Sequence, residues 1–89
     1  MVGYYPMMAA AQDMIGMAVT NANRSVRPAR GVDPRFGTNP IAFAAPAGEE
    51  RPFVLDMATS TVASGKVRRA HALGMPIPRG WAVDANGQP

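Results

Sequence analysis

The chain has 89 residues, which leaves room for one domain at most. Nine basic residues against six acids give a net charge of +3, a balance suited to an anionic small molecule or to nucleic acid. With no cysteine and a single histidine, His71, the sequence excludes disulfides, cysteine-held zinc and histidine metal centres, so no metal site is expected.

At the N-terminal end, PMMAAAQD (Pro6 to Asp13) is rich in helix formers, and a proline is tolerated in a first turn. The spacing predicts a helix here that begins at or before the first residues. IGMAVT (Ile15 to Thr20) is a short apolar run bounded by polar residues and predicts a buried strand, with Gly16 permitting close backbone approach. Asn21 to Asn39 has neither helical nor strand period and is rich in Arg, Asn, Pro and Gly. Structureless stretches of this length are uncommon in compact domains and tend to be functional loops or disordered.

IAFAA (Ile41 to Ala45) lies between Pro40 and Pro46, and FVLD (Phe53 to Asp56) follows the turn-forming PAGEERP. The two runs predict an antiparallel hairpin. Beyond Asp56 the period changes. Thr59, Ser60 and Thr61 are candidate N-caps, and Ala63, Val67 and Ala70 recur at helical spacing with Lys66, Arg68 and Arg69 turned away from that stripe. Gly74 ends this second helix, and Pro76 and Pro78 prevent its continuation. Trp81 to Asp84 is expected to form a short strand closed by an Asn86-Gly87 turn. This order of elements is α+β, or mixed α/β. Only two leucines, Leu55 and Leu73, contribute to the apolar total, so the core is thin and apolar surface is expected to face something outside these residues.

No apolar run is long enough to span a membrane, and no basic region followed by an apolar stretch and a cleavage site marks a secretory signal. The expectation is a cytoplasmic chain with no membrane partner. A nucleic-acid partner is also not expected. The arginine loop (Arg24, Arg27, Arg30 and Arg35) has only Phe36 as a stacking ring, whereas single-strand binders interleave several. A solvated or interface loop explains the arginines better, and Lys66, Arg68 and Arg69 similarly read as an exposed helix face.

Three segments can carry chemistry. In FVLDMATSTVASGK (Phe53 to Lys66), an acid at a strand end precedes a helix start. The acid can accept hydrogen bonds from ribose or amide groups, and the helix N-terminus presents free N–H groups and positive dipole to an anion. The same residues also serve as plain capping and turn groups. In GTNP (Gly37 to Pro40), Thr38 and Asn39 offer side-chain hydrogen bonds just before a strand, as an ordinary loop-to-strand turn also would. TNANR (Thr20 to Arg24) places polar groups after the first strand. His71 is the one imidazole available for acid/base work, yet no acid stands near it in sequence and a surface role suits it better. Tyr4 and Tyr5 suit packing. There is no GxGxxG or Walker A sequence, so an ordinary Rossmann fingerprint is missing.

GYYPMMAAAQDMIGMAVTNA, FGTNPIAFAAPAGEERPFVLDMATS and ASGKVRRAHALGMPIPRGWAVDANGQP together resemble the malate/L-lactate dehydrogenase type-2 family. Ureidoglycolate and sulfolactate dehydrogenases, diketogulonate reductases and cyclic ketimine reductases belong to that family, and the likeness runs from Gly3 to Pro89. It implies hydride transfer between NAD or NADP and a small 2-oxo or 2-hydroxy acid. It also implies a non-Rossmann nucleotide fold, with a mostly antiparallel or mixed sheet and flanking helices, of which residues 1–89 form part. By the same resemblance Asp56, Met57 and Ala58 line the nucleotide site, and Thr38 faces cofactor or substrate. Ala22 contacts the cofactor through its backbone alone, because many relatives carry Thr or Ser there. The family's acid/base histidine and substrate-binding arginine lie upstream of the GYY segment. Segments completing the nucleotide site and the homodimer interface lie downstream. The resemblance therefore implies no catalytic residue within this chain and little activity for it alone. The alternative is an inactive module that associates with an intact homologous subunit.

Overall fold

The computed structural model describes residues 1–88. Pro89, the last residue of the expected 1–89 unit, lies outside them. Helix α1 (Tyr4–Ala10) leads into strand β1 (Gly16–Val19). Strands β2 (Ile41–Ala45) and β3 (Phe53–Met57) follow, and helix α2 (Ser64–Ala72) comes last. The strands form one sheet in the order β1-β2-β3, antiparallel throughout. The hairpin expected at residues 41–56 is therefore present, and the architecture is α+β.

Alternation along the strands decides which face is covered. Gly16 pairs with Ala44, Ala18 with Ala42, Ala42 with Asp56 and Ala44 with Val54, so these residues share one face. That face takes α1: Pro6 is fully buried, Ala42 and Ala44 have no exposure, and Ala10 is nearly as enclosed. The helix sits so close that a Cβ on Gly16 would fall 2.6 Å from the Cα and carbonyl oxygen of Pro6. Only glycine permits this approach.

The opposite face carries Met17, Val19, Ile41, Phe43, Phe53, Leu55 and Met57. It is largely open: Met17 is 67% exposed, Val19 64% and Phe53 57%. This corrects the expectation of a buried first strand. In β1 only Gly16 is buried, and β3 is an edge strand exposed at every residue. The radius of gyration, 16.3 Å, exceeds the roughly 12 Å of a compact chain of this length. A three-stranded sheet covered on one side by a seven-residue helix has too little material to close a second layer.

Both helices stop in the same way. At the end of α2 the Gly74 N–H donates to the His71 carbonyl and the Met75 N–H to the Ala70 carbonyl, with Gly74 at φ +63°. After α1 the Asp13 N–H donates to Ala10 and the Met14 N–H to Ala9, with Asp13 at φ +57°. Each is a Schellman closure with its left-handed residue at C′.

Three local expectations change. The first helix ends earlier than the run to Asp13 suggested, at Ala10, and starts at Tyr4 with Pro6 in its first turn. The loop between β1 and β2 contains one antiparallel bridge, Val26 to Phe36, with mutual N–H to carbonyl bonds of 2.8 and 3.0 Å. Trp81 to Asp84 forms no strand. Its backbone is drawn into a turn in which Asp84 Oδ1 accepts the N–H groups of Asn86 and Gln88, both at 2.9 Å.

Candidate functional site

An antiparallel order brings the end of β1, the start of β2 and the end of β3 to one edge of the sheet. Short bonds tie the three segments together there. The Thr20 N–H donates to the Pro40 carbonyl at 3.2 Å, and the Ala22 N–H to Asn39 Oδ1 at 3.0 Å. The Thr38 carbonyl accepts both the N–H and the hydroxyl of Thr59, at 2.9 and 3.1 Å. Gly37 is buried beneath them, and a Cβ there would lie 2.3 Å from the Ala22 carbonyl oxygen. Ala22, Thr38, Met57 and Ala58, four of the five residues singled out from sequence, thus stand at one end of the sheet.

Asp56, the fifth, departs from expectation. The strand continues through Met57, so Asp56 is its penultimate residue and lies on the face covered by α1. Its Oδ2 accepts the N–H of Gly3, the N-cap of α1, at 2.8 Å. The carboxylate thereby satisfies a helix-end donor and meets the positive end of the helix dipole. A carboxylate has acceptor sites beyond one hydrogen bond, so this tie leaves Asp56 able to accept a ligand hydroxyl.

The expected capping of the second helix is also different. α2 begins at Ser64 with Ala63 as N-cap, extended at φ −70° and ψ 133°, and without a side-chain cap. The hydroxyls expected to cap it have partners in the linker: Thr59 bonds to Thr38, and Ser60 Oγ donates to the Val62 carbonyl at 2.9 Å. They shape the loop, and the first turn of α2 keeps N–H groups to offer a ligand.

Two recesses open here. The smaller, about 340 Å3, is walled by Asp56, Met57, Ala58, Thr61, Ala63 and Lys66. The larger cleft, about 700 Å3, adjoins it through Ser60, Thr61 and Val62 and includes Thr38. Thr38 therefore belongs to the neighbouring cleft, while Ala22 reaches the assembly through its bond to Asn39. The smaller recess combines a carboxylate acceptor, backbone groups, hydroxyls, an ammonium and a helix start. This donor set fits a nucleotide, since a carboxylate can accept ribose hydroxyls and a helix start can meet phosphate.

Asn39 was visible in sequence only as part of a turn. It adopts φ +31° immediately before Pro40, a conformation that a residue preceding proline rarely takes, while its side chain holds the Ala22 N–H. The Asn-Pro pair was the one available sign. His71 is exposed in the last turn of α2, away from these recesses, and Tyr4 and Tyr5 are exposed and packed edge to face at 5.7 Å. Among the described residues no three His, Cys, Asp or Glu side chains group to hold a metal, and no helix is long and apolar enough to cross a membrane.

The family model described as malate/L-lactate dehydrogenase matches residues 1–89. The chain is 48% identical over 85 residues to a malate dehydrogenase of Pyrococcus horikoshii, covering 96% of this chain and 23% of that protein. It is 46% identical over 80 residues to a (2R)-3-sulfolactate dehydrogenase (NADP(+)) of Chromohalobacter salexigens, covering 90% of this chain and 24% of that one. The crystal structure of a dehydrogenase from Sinorhizobium meliloti superposes with a TM-score of 0.91 at 42% identity, covering 99% of this chain and 26% of that one. The chain spans about a quarter of the length of the relatives it matches.

Proposed function

The chain belongs to the malate/L-lactate dehydrogenase family, and from that premise we propose that it supplies part of the NAD(P)-binding domain of an oxidoreductase acting on small 2-oxo or 2-hydroxy acids. The observation carrying this reading is the gathering of Ala22, Thr38, Met57 and Ala58 at one sheet end, beside Asp56 and the uncapped start of α2. The names of the malate and sulfolactate relatives support the acid class of substrate. The nucleotide-binding domain is of the non-Rossmann kind, as the missing glycine fingerprint also suggests.

When bound, NAD or NADP supplies the hydride acceptor or donor for interconverting the alcohol and carbonyl of the acid. This chain's residues bind and orient. Asp56 keeps its place through Gly3 and accepts ribose hydroxyls, and the Met57-Ala58 backbone lines the floor of the recess. The first turn of α2 and Lys66 meet negative phosphate charge. The bonds from Thr59 to Thr38 and from Ala22 to Asn39 hold the three loops in register, which matters because small misplacements in a site cost rate steeply. The group that moves the proton at the carbinol is supplied from outside residues 1–89. General acid/base groups of that kind contribute on the order of 100- to 10,000-fold, so the chain by itself is expected to bind nucleotide and to turn over little.

The open sheet face bearing Met17, Val19, Phe53, Leu55 and Met57 favours a second reading, in which the chain is an inactive module that docks on an intact homologous subunit. In the complete enzyme the same face is buried by the rest of the subunit or its homodimer partner, in the cytoplasm. Adding NADH and a series of 2-oxo acids to the complete protein tests the first reading. Consumption of the nicotinamide absorbance is expected, and no consumption with any acid or cyclic imine contradicts it. Co-elution of the chain with an intact relative tests the second, and separate elution rejects it.

A further inference from the structure

One residue from each of two basic groups far apart in sequence lines the larger cleft. Arg27, from the loop after β1, and Arg68, from α2, both line it, together with Ser25, Thr61, Ser64 and Trp81. No carboxylate lines the cleft. Among the described residues the only ion pair is Arg35 with Asp33, so neither Arg27 nor Arg68 has an acidic partner at ion-pair distance. Arg27 is half-buried, and its Nη1 lies 3.2 Å from where a Cβ on Gly87 would stand, so the Asp84–Gln88 turn confines its guanidinium. Ser64 adds the start of α2 to the same cleft.

The smaller recess differs in that, beside Lys66, it contains the Asp56 carboxylate, which suits hydroxyls. Because the two recesses share Ser60, Thr61 and Val62, one extended ligand can run from the acid-bearing recess into the guanidinium-lined cleft. Guanidinium forks match phosphate oxygens in a bidentate way. Trp81 and the apolar side chains of Val26, Val67 and Val83 offer a surface for a flat ring beside them.

We propose that this cleft binds the 2′-phosphorylated adenosine end of the dinucleotide, through Arg27 and Arg68, and so gives the protein a preference for NADP over NAD. The inference rests on the dinucleotide reading above and adds the discriminating residues to it. Residues that bind a 2′-phosphate raise affinity for that group alone, leaving the nicotinamide end unaffected.

Trp81 is the single tryptophan of the chain and lines the cleft, so its fluorescence reports occupancy directly. The chain is titrated with adenosine 2′,5′-bisphosphate, adenosine 5′-monophosphate and NADH, with circular dichroism as the fold control. The bisphosphate is expected to bind about ten-fold or more tightly than the monophosphate, the size of one lost charge-assisted contact. Arg27→Gln or Arg68→Gln is expected to bring the two to parity with unchanged circular dichroism. Equal affinity for the two nucleotides in the parent chain overturns the proposal, as does a preference that survives both substitutions. NADH binding without a bisphosphate preference removes the cleft assignment and leaves the dinucleotide reading standing. Bisphosphate binding with no response to NADH or NADPH removes the dinucleotide reading instead. If the chain alone is unfolded, calorimetric titration of the complete protein and the same two variants decides between the same outcomes.

Discussion

Gly37→Ala is the substitution that most sharply probes the joined loops. The new Cβ would lie 2.3 Å from the Ala22 carbonyl oxygen and 2.6 Å from both the Ala22 carbonyl carbon and Asn39 Oδ1. Ordinary contacts need about 3.5 Å, so the two backbones must part by about 1 Å. Overpacking of this kind costs about 1–3 kcal/mol. Parting the loops also lengthens the bond from the Ala22 N–H to Asn39 Oδ1, 3.0 Å in the parent, whose loss costs about 1 kcal/mol net. The total is about 2–4 kcal/mol. For a domain of this size each kcal/mol lowers Tm by about 4–8 °C. Thermal unfolding followed by circular dichroism measures that drop, and NADH titration of the same variant measures the consequence for binding. A variant that melts with the parent and binds NADH equally well would refute the view that the three loops form one jointed unit.

Gly65→Ala is the contrasting case. Its Cβ meets nothing within 4 Å, and alanine is favoured over glycine within a helix by about 1 kcal/mol. The variant should melt higher in denaturant while binding nucleotide more weakly, because the added methyl stands at the helix start offered to phosphate; unaltered nucleotide affinity would argue against that placement. Gly16→Ala should destabilise by about 1–3 kcal/mol, since Pro6 cannot move away from a Cβ at 2.6 Å without lifting α1 from the sheet; a urea midpoint equal to the parent's would contradict the close approach. Asp56→Asn should cost less than about 1 kcal/mol, because the acceptor for the Gly3 N–H is retained at an exposed position. Its NADH affinity should nonetheless fall, and an unchanged affinity would leave Asp56 with the helix-end duty alone. Phe53→Ser, at a side chain 57% exposed, should leave the melt unchanged yet abolish co-elution with an intact homologous subunit if the open sheet face is the docking surface.

The hairpin was legible because Ile41 to Ala45 is an apolar run fenced by Pro40 and Pro46, and Phe53 to Asp56 is a mainly apolar run opening after Pro52; with no proline beyond it, the second strand runs one residue further, to Met57. The end of α2 was legible for the same kind of reason: Gly74 takes a left-handed conformation that its neighbours avoid. Its start was not. Thr59, Ser60 and Thr61 have the chemistry of N-caps, but Thr59 is claimed by the Thr38 carbonyl, 21 residues away, and sequence proximity holds no trace of that bond. The α1 cap shows the same gap, since its partner is Asp56, 53 residues distant. Trp81 to Asp84 reads as a strand from its side chains, yet Asp84 spends its acceptors on the turn after it. The site residues were found mainly through family resemblance. What the sequence could not convey is that the antiparallel sheet order puts three separate loops at one edge, or that Arg27 and Arg68 would share a cleft.

Amide-resolved NMR of the isotopically labelled protein during NADH titration tests the dinucleotide site most directly. The largest shifts are expected at Met57, Ala58 and the first turn of α2, with smaller ones relayed to Ala22 and Thr38. Shifts confined to the far end of the sheet, around Ala45 and Phe53, or none at saturating nucleotide, would contradict a coenzyme seated where β3 gives way to α2.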